Sequence, residues 1–135
     1  MSFINWTEEL STKVRTFDDQ HKKLIGLVND LHENMAQGKG KDVMEKTLSG
    51  LVDYTKTHFA AEEEMMTRHK YLAYSSHRAE HEKLTKQASD LLQKLRAGEP
   101  VMSVHVMRFL KDWLEQHIMK ADKQYGPFLN AKGVV

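Results

Sequence analysis

Two short segments of this chain place a histidine four residues from another possible metal ligand. In HFAAEE, His58 precedes Glu62, and in HRAEH, His77 precedes His81. Residues four apart sit one above the other on a helix face, so each pair can reach one metal ion or two adjacent ions. FDDQH adds His21 and HIMKAD adds His117. A single inward histidine is ordinarily a core residue with a hydrogen-bond partner. Five imidazoles and a carboxylate buried together would each need such a partner, and a metal centre meets that need at once. The chain contains 8 histidines and no cysteine, which excludes thiolate metal sites, disulfides and thiol catalysis.

Whether the six residues meet depends on the elements that carry them. With only 2 prolines, Pro100 and Pro127, and long stretches of helical periodicity, the sequence predicts an all-α fold. An aromatic-bearing arm, residues 1 to about 17, carries Phe3, Trp6 and Phe17. A first helix follows over about 18–37, capped by Asp18 or Asp19, with Leu24, Ile25, Val28, Leu31 and Met35 on its apolar face. A second spans about 42–68, its seam running Met44, Leu48, Leu51, Thr55, His58, Glu62, Met65. A third, about 76–97, is capped by Ser75 or Ser76 and has the seam His77, His81, Leu84, Ala88, Leu91, Leu95. The fourth covers about 103–125 with Val106, Leu110, Trp113 and His117 inward, and Gly126-Pro127 is expected to stop it.

Short connections between long helices predict antiparallel neighbours, an up-down-up-down four-helix bundle behind an N-terminal arm. His21 then lies near the start of the first helix, and His58 and Glu62 lie near the end of the second. His77 and His81 open the third, and His117 is near the end of the fourth. In such a bundle those starts and ends share one end of the molecule, so all six residues converge at one level.

Asp122 is a further candidate. It follows His117 by five residues, and five regular helical steps leave it about 140° off the seam. Regular geometry makes it a solvated aspartate; a one-residue π-bulge would return it to the inner face. His32 lies eleven residues beyond His21, about 16 Å along the axis, and belongs at the far end. His105 is excluded in the same way, and His69 falls in a loop.

FDDQH, HFAAEE, HRAEH and HIMKAD together resemble the H…HxxxE…HxxxH…HxxxxD signature of hemerythrins, closest to the single-domain bacterial ones. The resemblance spans the whole of 1–135, including the Trp6 arm, and shows no departure at the signature positions. It implies a four-helix bundle around a non-haem di-iron centre that binds O2 reversibly. It implies His77, His81 and His117 on one iron, His21 and His58 on the other, and Glu62, Asp122 and an oxo or hydroxo bridge between them. The first iron is then full, and the second keeps one position open for O2. Leu24, Phe59, Trp113 and Ile118 match the family's oxygen-pocket positions; each singly could be ordinary core packing.

The resemblance implies oxygen storage, transport or delivery by a non-enzyme, with an oxygen-consuming enzyme as the expected partner. The alternatives are a di-iron oxidase or peroxidase, a nitric-oxide-handling enzyme, and an O2 or iron sensing module. A formal net charge of +1, with 29% charged residues, gives no nucleic-acid footprint. No apolar run approaches the ~20 residues of a membrane span. MSFINWTEEL has neither a basic region nor an apolar one of the kind a signal peptide needs. The expectation is a cytoplasmic monomer.

Overall fold

The computed structural model describes residues 3–100 and 104–135. They are helical, with no strand among the described residues. α1 spans Arg15–Ala36, α2 Lys41–Arg68, α3 Tyr74–Arg96 and α4 Val104–His117. A π turn, Ile118–Asp122, carries α4 without a break into α5, Lys123–Ala131. Counted as rods, this is a four-helix bundle in which α1 packs on α2 and α4, and α2 packs on α3. The expected start of the fourth helix at Ser103 lies outside the described residues.

Each rod carries apolar residues along much of its buried face and its candidate ligand histidines towards one end. A large apolar core holds Leu24, Val28 and Leu31 of α1, Leu48 and Leu51 of α2, Leu84 and Ala88 of α3, and Leu110 and Trp113 of α4. A smaller cluster of Val14, Phe17, Met66, Tyr125 and Leu129 closes one end. The histidines fall between these two clusters. Full burial of a Leu, Ile or Phe side chain contributes roughly 1.5–3 kcal/mol, so the two clusters can hold a polar layer between them.

Several boundaries differ from the periodicity reading, each for a visible reason. α1 begins at Arg15, after Val14, so Phe17 belongs to the helix rather than to the arm. Asp18 does not cap it. Its carboxylate points back along the chain and accepts from Thr12 N at 2.7 Å, Thr12 Oγ1 at 2.9 Å and Ser11 Oγ at 2.5 Å, pinning the arm to the first turn. α3 begins at Tyr74, so Ser75 and Ser76 are inside it and neither is the cap. The buried partners at three seam positions are the next residues along: Met66 rather than Met65, Leu92 rather than Leu91, and Met107 rather than Val106. α1 ends where the chain turns left-handed at Gly38 (φ 69°), with Lys39 N donating to Asn34 O at 3.0 Å.

Gly126-Pro127 does not end the fourth rod; helix continues to Ala131. Proline removes one backbone donor, and the burial of Tyr125 and Leu129 on either side holds the turn in place. Gly126 serves a different purpose. A Cβ there would lie 2.1 Å from the carbonyl oxygen of Thr12, so only glycine lets the arm cross the last helix this closely.

Candidate metal centre

The structure brings all seven sequence-predicted ligand residues into one buried layer. His21, Glu62 and Asp122 are 0% exposed, and the other four are buried as well. α1 contributes His21, α2 His58 and Glu62, α3 His77 and His81, and α4 His117. Asp122 comes from the π turn. One extra residue in that turn rotates it from the solvent side to the inner face.

The two carboxylates divide the histidines into two sets. Glu62 Oε2 faces His21 Nε2 at 3.2 Å and His58 Nε2 at 3.3 Å, while its Oε1 faces His81 Nε2 at 3.2 Å and His77 Nε2 at 3.9 Å. Asp122 Oδ2 stands 2.9 Å from His21 Nε2. Its Oδ1 stands 2.9 Å from His77 Nε2 and 3.0 Å from His117 Nε2. Glu62 therefore turns one oxygen to His21 and His58 and the other to His77 and His81, and Asp122 turns one oxygen to His21 and the other to His77 and His117. Two groups that could each hold a metal ion result, sharing Glu62 and Asp122, with ligand atoms within 4.8 Å of one another.

Of these close contacts, His21 Nε2 with Glu62 Oε2 is a hydrogen bond, but several of the layer's polar atoms are left without one. His58 Nε2, His77 Nε2, Glu62 Oε1 and both oxygens of Asp122 are buried without a hydrogen-bond partner. His81 Nε2 and His117 Nε2 face each other at 3.1 Å. Buried polar atoms without partners carry a large desolvation cost. Nitrogen and oxygen lone pairs converging from four helices are the donor set a pair of divalent or trivalent cations requires, so the residues fit a two-metal centre.

Without metal the layer is electrostatically self-compensating. Burial pushes the His21 imidazole down, but the carboxylates of Asp122 and Glu62 outweigh it and hold its pKa up at about 10. His117 is likewise raised: burial opposes, and Asp122 is the largest opposing influence. Burial and mutual repulsion push Glu62 up, yet His58 and His21 hold it well below the usual carboxylate range. Burial also pushes Asp122 up, and His117, His21 and His77 outweigh it to hold the carboxyl well below its ordinary value.

A small cavity of about 10 Å³, room for a single small molecule, touches His21, His58, His117 and Asp122. Its apolar wall includes all four expected pocket residues, Leu24, Phe59, Trp113 and Ile118, together with Leu84 and Leu114. Trp113 Nε1–H donates to the carbonyl of Leu84 at 3.2 Å and ties α4 to α3 there. On the other side of that pair a cleft of about 420 Å³ runs between α3 and α4, lined by residues including Glu80, Asp112, Gln116 and Lys120.

Periodicity missed Tyr125, Gln20 and Glu63. The Tyr125 hydroxyl donates to Glu62 Oε2, and burial beside that carboxylate pushes the phenol pKa well above its usual value. Gln20 and Glu63 contact His58 and His81. Their only sequence signal is adjacency to His21 and Glu62. The three histidines set aside stay outside both metal groups: His32 stacks on Phe3 with ring centroids 4.1 Å apart, His69 caps α2, and His105 lies exposed.

Residues 12–129 match the family described as "Hemerythrin HHE cation binding domain". The chain is 42% identical over 132 residues to a bacteriohemerythrin of Methylococcus capsulatus, covering 97% of this chain and 100% of that one. It is 33% identical over 125 residues to a bacteriohemerythrin of Pseudomonas aeruginosa, covering 93% and 80%. A myohemerythrin of Sipunculus nudus is 30% identical over 120 residues, covering 89% and 88%. Among solved structures, one titled as a wild-type hemerythrin superposes with a TM-score of 0.88 at 41% identity, covering 93% of this chain and 97% of that one.

Proposed function

The chain belongs to the hemerythrin family, and from that premise we propose how its own residues serve the function that membership carries. That function is reversible O2 binding at a di-iron centre, and the chain is an oxygen-binding protein rather than an enzyme. The observation that carries the residue assignment is the division of the two carboxylates, one oxygen of each toward each histidine set.

In this reading His77, His81 and His117 would hold one iron, His21 and His58 would hold the other, and Glu62 and Asp122 would be shared between the two. Two irons bound there supply the electrons that O2 accepts on binding and returns on release. Glu62 and Asp122, both fully buried, would offset the metal charge inside the layer. The Tyr125 hydroxyl keeps Glu62 turned so that Oε2 faces His21 and His58. Those two histidines leave one donor fewer on their side, and both line the cavity, which also touches His117. Leu24, Phe59, Trp113 and Ile118 wall that cavity and exclude the water, protons and anions that would displace a bound oxygen ligand.

The whole of 1–135 acts as one domain. It is read as a monomer that serves storage of O2 or its delivery to an oxygen-consuming enzyme, and every residue of the centre comes from one chain. A cytoplasmic setting accords with the lack of cysteine. No helix among the described residues is long and apolar enough to cross a membrane. The deciding experiment combines metal analysis with anaerobic reduction, admission of air and removal of O2, followed by absorption. Two irons per chain and a band that comes and goes with O2 are expected. One metal per chain, a stably filled zinc site, or O2 consumed without release would overturn the assignment.

A further inference from the structure

Two of the five imidazoles are held from behind by side chains, and the two supports differ in charge. His58 Nδ1 lies 2.5 Å from Gln20 Oε1, and His81 Nδ1 lies 3.0 Å from Glu63 Oε2. In both rings Nε2 faces the carboxylates of the centre, so Nδ1 carries the proton and donates. Each support crosses a helix interface, Gln20 from α1 to α2 and Glu63 from α2 to α3. By contrast, the buried Nδ1 atoms of His21 and His117 have no hydrogen-bond partner. The support is selective, with one residue behind each histidine set.

We propose that Glu63 is an anionic positioning residue that lowers the reduction potential of the iron held by His77, His81 and His117, with Gln20 as its neutral counterpart on the other iron. The inference rests on the ligand assignment above. A carboxylate accepting an imidazole N–H makes the ring a stronger electron donor through its other nitrogen, whereas an amide does so less. A stronger donor favours ferric over ferrous iron. Phe59 stacks on His81, centroids 3.8 Å apart and planes 2° from parallel, and fixes the ring so that rotation does not dissipate the effect. Arg78 approaches Glu63 to only 4.0 Å from an exposed position and offsets little of the carboxylate's influence. Glu63 would therefore favour loss of the first electron from the iron beside His81 rather than from the iron beside His58.

The test uses the iron-loaded chain in four versions: wild type, Glu63→Gln, Glu63→Asp and Gln20→Glu. Glutamine keeps an acceptor for His81 Nδ1 and removes the charge. Anaerobic redox titration and Mössbauer spectra of the half-oxidised, iron-57-loaded chain supply the readouts. Glu63→Gln should lower the ferric-to-ferrous ratio at a fixed potential about tenfold, the scale of outer-support effects. For a one-electron couple that is about 59 mV. Glu63→Asp should restore the wild-type value, and Gln20→Glu should shift the potential the other way and move the ferric signal toward the other iron. Unchanged potentials in both Glu63→Gln and Gln20→Glu would overturn the proposal. If Glu63→Gln loses iron, Gln20→Glu decides alone, and an unchanged potential there overturns it. A wild-type chain that takes up no iron overturns the ligand assignment itself and with it this inference.

Discussion

His117 and Asp122 are five residues apart, and yet His117 Nε2 and Asp122 Oδ1 stand 3.0 Å from each other. The π turn Ile118–Asp122 makes this possible by adding one residue to a single turn. It leaves Asp122 buried among three imidazoles, with one oxygen toward each histidine set.

That position sets the first expectation. Asp122→Asn keeps the shape and removes the charge shared between the two metal groups. Iron content should fall from two per chain to one or none, read as the metal-to-protein ratio after loading under identical conditions. Two irons retained would show that Asp122 does not join them.

Trp113 is the largest residue of the apolar wall, and it latches α4 to Leu84. Trp113→Ala should retain iron, because no ligand is lost, while the oxygenated form decays about tenfold faster, roughly 1.4 kcal/mol of barrier. Trp113→Phe keeps much of the volume and removes the indole donor, and its decay should be intermediate. Decay of the oxygenated absorption band at fixed pH and halide is the measurement; equal rates in all three would reduce the wall to packing.

Removing the metal should reverse the pH response. In the metal-free chain His21 is raised from 6.5 to about 10, and His117 is raised too. A raised histidine adds stability that is fully present below about 6.5 and lost as pH climbs toward about 10. Glu62 and Asp122 are depressed, so their contribution is present above the ordinary carboxylate range and lost only as pH falls well below it. Denaturation midpoints of the metal-free chain should therefore drop between pH 6 and pH 9. The iron-loaded chain should not follow, because iron requires the imidazoles unprotonated. A metal-free midpoint that is flat across that interval would contradict the charge arrangement.

Two glycines should respond in opposite directions. Gly126→Ala would set a Cβ 2.1 Å from the Thr12 carbonyl, a clash with backbone that cannot swing aside. It should cost about 1–3 kcal/mol and shift Tyr125 from Glu62. Gly50, exposed on α2, has nothing within 4 Å of its Cβ position. Gly50→Ala should add about 0.5–1 kcal/mol. Thermal melts of the metal-free forms check both signs.

The sequence by itself determined which residues could form the centre and that they must meet. His21, His58, Glu62, His77, His81 and His117 lie on inward seams at helix ends, and an antiparallel bundle gathers those ends. Apolar periodicity records which face of a helix looks inward, and turn residues record where the chain reverses. What periodicity does not record is a local change of backbone register, or which side chain reaches across to a neighbouring helix. Asp122 was reachable only through the π turn, and regular helical geometry pointed it at solvent. Pro127, a stop signal locally, was overridden by burial of Tyr125 and Leu129. Asp18, a cap by its type, turned instead to bind the arm. Gln20, Glu63 and Tyr125 carry no periodic signal, because each acts through one contact to a residue on another helix. Those contacts exist only once the rods have packed, which is why the tertiary structure alone decided how the histidines are held.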